Sequence, residues 1–372
     1  MLTARWVPYR VPLRAPFATA AGELAERRGF VVRVEDEDGT IGHGECAPLP
    51  AHGGESLAQA SRALESLGCW LATSEIEISA PASLFDLSAE LASVEPAAPA
   101  ARAGIVLATA DLAARREGLP LARWLALGAR DSVEVNALIG AVEPEAARVA
   151  VTSLVAEGFT TLKIKLDADV GASVARLAAA REAAERARRG SGRPIRLRAD
   201  ANGAWDVRTA LRALKEMSGL GLEYVEQPVP ADDVEGLAEV RRESPVRLAA
   251  DEALLRPGGI QRVLELEAAD LVVLKPSLLG GLADAWAAAD QARSAGVDVV
   301  VTSALDCAIG RAGALHLAAA LPGMDAACGL ATGHLLAADL TADGSDPTAP
   351  TGDSVRVTAA PGLGLALAEP AA

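Results

Sequence analysis

From residue 133 onward the chain repeats one beat: a short apolar run, then an alanine-rich stretch whose charged residues recur at helical spacing. The apolar runs are VEVNALI (133–139), TLKIKL (161–166), IRLRAD (195–200), LEYVEQ (222–227), VRLAAD (246–251), DLVVLK (270–275) and VDVVVTS (297–303). A weaker one lies in DAACGLA (325–331). Their brevity marks them as buried strands, and stretches such as PEAARVAVTSLVAEG and LADAWAAADQARSAG as the helices between them. Strand starts recur about every 25 to 35 residues, the period of successive βα units in a parallel sheet. Seven or eight such units in about 200 residues favour a closed β/α barrel over an open doubly wound sheet. No G-x-G-x-x-G follows the early strands to support a dinucleotide fold.

Residues 1–125 follow another pattern. FVVRVEDEDGTIGHGECAPLP reads as a strand, an acidic turn at Asp36–Gly39 and a second strand running into a Pro/Gly loop. Helical stretches such as SLAQASRALESLGCWLA and AARAGIVLATADLAARREG come after, so strands precede helices as in an α+β domain. The barrel then spans 126–335. A tail, 336–372, ends in SVRVTAAPGLGLAL, read as a short strand returning to the first domain.

Bulk properties narrow the function. With 372 residues and 51% hydrophobic residues the chain is a folded protein of about two domains. A net charge of −15 argues against nucleic-acid partners. Cys46, Cys69, Cys307 and Cys328 are scattered, without zinc-type or disulfide-framework spacing. The N-terminus has no apolar signal core and no run reaches a membrane span, so a soluble cytoplasmic protein is expected. Oligomeric state leaves no mark in the sequence. His43, His52, His316 and His334 show no ligand spacing and read as satisfied or exposed histidines.

Lysine is scarce here. Of 35 basic residues only Lys163, Lys165, Lys215 and Lys275 are lysines, and the first two flank one isoleucine in TTLKIKLD. On a strand Lys163 and Lys165 share a face, which a barrel turns inward. Burial and like charge would lower a lysine's pKa and turn it into a usable base. Asp200, Glu226 and Asp251 end the next three strands, at the rim where barrel active sites assemble. Three such carboxylates would suit Mg2+, a hard cation with oxygen ligands. Lys275 ends the following strand. Lysines beside a carboxylate-held ion form a site for removing the proton next to a substrate carboxylate. A Schiff-base aldolase barrel would explain one lysine but not three acids, and a purely structural ion network would stabilise the barrel weakly at best.

The motifs K-x-K, D-A-N, E-Q-P, D-E and K-P on successive strands resemble the enolase superfamily, and within it the muconate-lactonising subgroup. The resemblance implies a modified (β/α)8-type barrel, (β/α)7β, and an α+β N-terminal capping domain completed by the C-terminal tail. Cap loops at about Phe17–Glu23 and Pro48–Gly54 would cover the barrel mouth. GECAPLP, VNALIGA, TSALDCAIGRAGALHLAAALP and ACGLATGHLLAADL resemble the o-succinylbenzoate synthases. That family dehydrates 2-succinyl-6-hydroxy-2,4-cyclohexadiene-1-carboxylate in menaquinone synthesis. The resemblance implies Lys165 as base and then acid, Lys163 as its tuner and a contact for the substrate carboxylate, and Lys275 as stabiliser of the intermediate by a cation–π contact. It implies Asp200, Glu226 and Asp251 as ligands of Mg2+, or Mn2+ in its place. Arg198, Asn202, Ser303 and Gly329 would lie near the small carboxylate substrate. N-acylamino acid racemases use the same two lysines as opposed acid and base, and muconate cycloisomerases share the motifs. Dipeptide epimerases would carry D-x-D near the eighth strand to hold a substrate ammonium; this chain reads AACGLATGH there.

Overall fold

The computed structural model describes residues 1–19 and 22–368. Three antiparallel strands, β1 (Thr3–Thr19), β2 (Gly22–Glu35) and β3 (Ile41–Cys46), form the N-terminal sheet in that order. Of the loop expected at about Phe17–Glu23, residues 20 and 21 lie outside the described residues. The acidic turn closes because the Asp36 carboxylate accepts from the Asp38 and Thr40 amides, with Gly39 at a φ of 78°.

Of the three helices that follow, α1 (Leu57–Thr73) and α3 (Pro99–Arg116) pack on this sheet, and α2 (Ser83–Val94) packs on those two. Ser56 and Gln59 close a capping box at the start of α1. Every residue of α3 from Ala100 to Ala114 is buried, so this small-residue helix runs through the interior. Its approach to β3 needs glycine. A Cβ at Gly42 or Gly44 would lie 2.0 Å from the carbonyl oxygens of Ala108 and Gly104.

A short helix, α4 (Leu121–Leu125), and a short strand, β4 (Ser132–Glu134), lead into the second sheet. Its seven strands are β5 (Ala137–Ile139), β6 (Thr161–Lys165), β7 (Arg196–Asp200), β8 (Leu222–Glu226), β9 (Leu248–Ala250), β10 (Leu271–Leu274) and β11 (Asp298–Val301). They are parallel and lie side by side in chain order. The helices between them are α5 (Pro144–Ala156), α6 (Val170–Ser191), α7 (Val207–Met217), α8 (Val234–Glu243), α9 (Gly259–Glu265), α10 (Pro276–Leu279) and α11 (Leu282–Ser294). After β11 comes α12 (Ala308–Ala320). Asp169, Asp206 and Asp233 cap the first turns of α6, α7 and α8 with their side chains.

The weak eighth run closes the ring as isolated bridges. Cys328 pairs with Val135 and Gly329 with Thr302, tying β11 back to the stretch before β5. One expectation changes. The tail strand, β12 (Ser354–Arg356), pairs antiparallel with β4, not with the N-terminal sheet. The pairing buries Val133 against Val355; the tail meets the N-terminal domain on either side of it, at the Leu336–Leu13 bridge to β1 and where the Leu363 amide donates to Asp111 of α3. Among the described residues no helix is long and apolar enough to cross a membrane.

His316 on α12 joins these pieces. It is buried, and its Nδ1 accepts from the Ala122 amide of α4. Burial lowers its pKa to about 4, against the opposing pull of a Leu363 backbone hydrogen bond and Asp111. The unfolded chain takes up this proton near pH 6.5 while the folded chain does not, so stability present above that pH drains away as pH falls toward 4. The contribution is on the order of 3 kcal/mol. The stability advantage of wild type over His316→Gln, read from urea midpoints, is therefore expected to shrink across that window; a constant difference would contradict it.

Candidate active site

Strand alternation builds the site. On β6, Leu162 and Ile164 are fully buried toward the helices, while Lys163 and Lys165 turn into the barrel mouth. Register then lines up Lys165, Asp200 and Glu226 across β6, β7 and β8. Asp251 and Lys275 follow immediately after β9 and β10. All six side chains line one pocket.

Their charges interlock. Lys163 Nζ stands 2.8 Å from Asp200 Oδ2 and 2.6 Å from Glu226 Oε1. Lys165 Nζ donates to Asp200 Oδ2 at 2.7 Å and to Asn202 Oδ1 at 2.5 Å. The Lys275 ammonium donates to both oxygens of Asp251. Burial pulls the Lys163 pKa down, but Asp200 and Glu226 outweigh it and hold the group well above the ordinary lysine range. Lys275 is likewise raised, burial being outweighed by Asp251, Glu252 and Glu226 together. Burial and like charge between Lys163 and Lys165 predict a lowered value; at Lys163 the carboxylates of Asp200 and Glu226 reverse it. Burial and neighbouring Asp200 push Glu226 well up, whereas the lysines overcome burial to lower Asp200 and Asp251.

The oxygen set fits a hard divalent ion. Three carboxylates on successive strand ends are almost sealed from solvent, and Glu226 Oε2 is buried without a hydrogen-bond partner. Among the described residues no three His, Cys, Asp or Glu side chains already form an ion-holding group. The Lys163 and Lys275 ammonium groups engage the same carboxylates. An ion at these carboxylates would compete with the two amines for oxygen.

Four further residues were expected beside substrate, and three of them line the pocket: Asn202, Ser303 and Gly329. Ser303 Oγ shares a 2.8 Å hydrogen bond with Thr332 Oγ1. A Cβ on Gly329 would lie 2.3 Å from Thr302 Oγ1, so this glycine is demanded by packing. Arg198 is the correction. It is fully buried and outside the pocket wall, bonded to Glu223, Asn136 and the Ala327 carbonyl. Its guanidinium sits 4.9 Å from the centroid of the Tyr224 ring. Arg198 supports the pocket from beneath.

The pocket also takes residues that no motif singles out, among them Tyr224, Leu305 and His52. Tyr224 shares an inward face with Glu226, two residues on, so alternation could have found it. Leu305 holds a φ of 58° at the pocket wall, which no sequence signal announces. His52, read as satisfied or exposed, faces the pocket with Nδ1 buried and unpartnered, and burial followed by Lys275 lowers its pKa to about 4. Lys215 plays no part in the pocket lining.

Known proteins share this fold. Residues 145–371 match the family described as Enolase C-terminal domain-like, and residues 1–94 match the MenC N-terminal domain. An o-succinylbenzoate synthase of Thermobifida fusca is 47% identical over 219 residues, a match spanning 58% of this chain and 64% of that protein. An L-Ala-D/L-Glu epimerase of Bacillus subtilis is 31% identical over 83% of this chain and 82% of its own. The crystal structure of a dipeptide epimerase from Enterococcus faecalis V583, complexed with Mg and L-Leu-L-Tyr, superposes with a TM-score of 0.87. That likeness has 27% identity and covers 98% of this chain and 99% of the other.

Competition between amine and ion can be measured. Lys163→Met strips Glu226 of its hydrogen-bond donor and Asp200 of one of two lysines. It should destabilise the metal-free protein by roughly 3 kcal/mol, read from denaturant midpoints. The same variant should bind Mg2+ more tightly than wild type in calorimetric titration. Equal or weaker binding would show that Lys163 and the ion do not compete.

Proposed function

The chain belongs to the enolase superfamily, and we propose that it is a Mg2+-dependent o-succinylbenzoate synthase. The reaction removes water from 2-succinyl-6-hydroxy-2,4-cyclohexadiene-1-carboxylate to give 2-succinylbenzoate, a step of menaquinone synthesis. One observation carries the reading: the character of the wall that closes the ring between β11 and β5. The carboxylates lining the pocket among the described residues are Asp200, Glu226 and Asp251, each engaged by lysine. The stretch 328–332 contributes Gly329, Ala331 and Thr332 to the wall. No acid there answers a substrate ammonium, which suits a substrate whose ends are carboxylates.

The residues divide the work as follows. Asp200, Glu226 and Asp251 would hold the ion, whose charge acidifies the proton beside a substrate carboxylate. Lys165, kept at the end of β6 by Asp200 and Asn202, takes the proton from C1 as a neutral amine. The C1–H electron pair passes into the C1 carboxylate as an enediolate and then into the ring as the C6–O bond breaks, and the ammonium just formed returns its proton to the departing hydroxide. One water leaves, no electrons are gained or lost, and the ring becomes aromatic. Lys275 approaches from β10, with three strands between it and β6 in the sheet, and its ammonium stabilises negative charge on the ring. Lys163 and its carboxylates set the field around Lys165.

That same placement of Lys165 and Lys275 on separated strands supports a second reading, racemisation of N-succinylamino acids, in which one lysine removes the α-proton and the other returns one. The deciding experiment follows loss of the cyclohexadiene's ultraviolet absorbance with Mg2+ present. Wild type should consume it, chelation should stop turnover, and Lys165→Ala should lower the rate by roughly 10²- to 10⁴-fold. No loss by folded, metal-loaded wild type would reject the synthase. Exchange of the α-proton of N-succinylamino acids in D₂O would then test the racemase.

A further inference from the structure

The D-E motif after β9 contains a residue for which neither pocket nor metal accounts. Glu252 begins the turn that follows Asp251. It is 7% exposed and stands behind the pocket wall. Its Oε1 accepts from Asn202 Nδ2 at 2.8 Å, and its Oε2 is buried without a partner. A buried carboxyl group with one side-chain hydrogen bond is costly to keep for packing alone.

Asn202 passes that contact on. A side-chain amide has an oxygen end and a nitrogen end, so committing Nδ2 to Glu252 turns Oδ1 the other way. Oδ1 accepts from Lys165 Nζ at 2.5 Å. A flipped amide would set an NH2 donor against an ammonium, with no acceptor between them. The backbone reinforces this direction. Asn202 holds a φ of 45°, in the left-handed region, and its amide donates to Asp200 Oδ1 at 3.0 Å. Lys165 is thus held through two of its three N–H directions, by Asp200 Oδ2 and Asn202 Oδ1. Fixing two N–H directions of a tetrahedral nitrogen fixes the third, where the neutral amine carries its lone pair.

We propose that Glu252 is a positioning residue: through the Asn202 amide it aims the Lys165 amine at the substrate. The proposal rests on the reading of Lys165 as the group that moves the proton. It accounts for the glutamate of D-E as the far end of a chain that begins at K-x-K. A flexible four-carbon lysine needs such a brace, because displacing a reacting group by about 1 Å costs on the order of 100-fold in rate.

Kinetics and crystallography together test it. Glu252→Gln keeps an oxygen acceptor at the same reach; Glu252→Asp keeps the charge but withdraws it by one methylene. E252Q should hold kcat within about threefold, and E252D should lower it roughly 10- to 100-fold, with KM changing by less than about threefold. In an Asn202→Ala background E252D should cost nothing further. The E252D crystal structure should show Lys165 Nζ moved from Asn202 Oδ1. Wild-type kcat in E252D, or an equal loss in the N202A background, would overturn the proposal. So would an E252Q variant as damaged as E252D, which would implicate charge instead of the amide. The crystallographic arm needs no turnover. Should wild type fail on the cyclohexadiene, the functional reading falls, while an unmoved Lys165 in E252D would still reject this one and a displaced Lys165 support it.

Discussion

Asp200, Glu226 and Asp251 are each nearly sealed from solvent in one barrel mouth, and carboxylates so placed repel one another unless cations stand among them. Much of the site follows from that constraint. Parallel strands in register bring the acids to one rim, and lysines on β6 and after β10 supply the opposing charge. Arginine would balance charge as well, but its guanidinium keeps its proton at any working pH. An amine neutralises a carboxylate and can also give up its proton once another cation takes over that task. The network therefore serves as both a resting charge balance and a chemical device, and the same contacts that raise Lys163 and Lys275 mark where an ion would act.

The rest of the molecule holds that mouth in shape. The buried Arg27 guanidinium on β2 donates to the carbonyls of Ala47 and Pro48 and, across the domain boundary, to that of Leu305. Glu45 on β3 accepts from Tyr9 and from the Cys307 and Gly310 amides at the start of α12, taking up orphan donors of a barrel helix. Burial and then Asp306 raise the Glu45 pKa. These contacts lie behind Leu49 and Leu305, two of the apolar pocket walls. The N-terminal sheet thus sets the pocket's shape, while the barrel provides its charged groups.

Period explains what could be read in advance. The seven parallel strands were legible because each is a short apolar run set off by helices, and their functional ends were legible because an acid or lysine terminating such a run has few structural uses. Closure by Cys328 and Gly329 was faint because two bridges leave hardly any pattern. Arg198 shows where period misleads. It shares the inward face of β7 with Asp200, yet two residues deeper in a barrel is a different layer, where it is enclosed by Glu223, Asn136 and Ala327. Alternation reports the face of a strand and says nothing of depth. His52 and Leu305 sit on loops, whose path depends on contacts from the other domain.

Depth also orders the chemistry. Arg198 and the ring of Tyr224 form a permanent cation–π floor; above it lie the lysines and carboxylates, and above those the loop residues Leu49, His52 and Leu305. The charge that never titrates is placed where no proton need move, and the titratable amines where substrate arrives. Turnover at such a site depends less on gathering charge than on holding one flexible amine in a fixed direction. Asn202, strained at a φ of 45° and gripped by Asp200 and Glu252, is the residue built to do that.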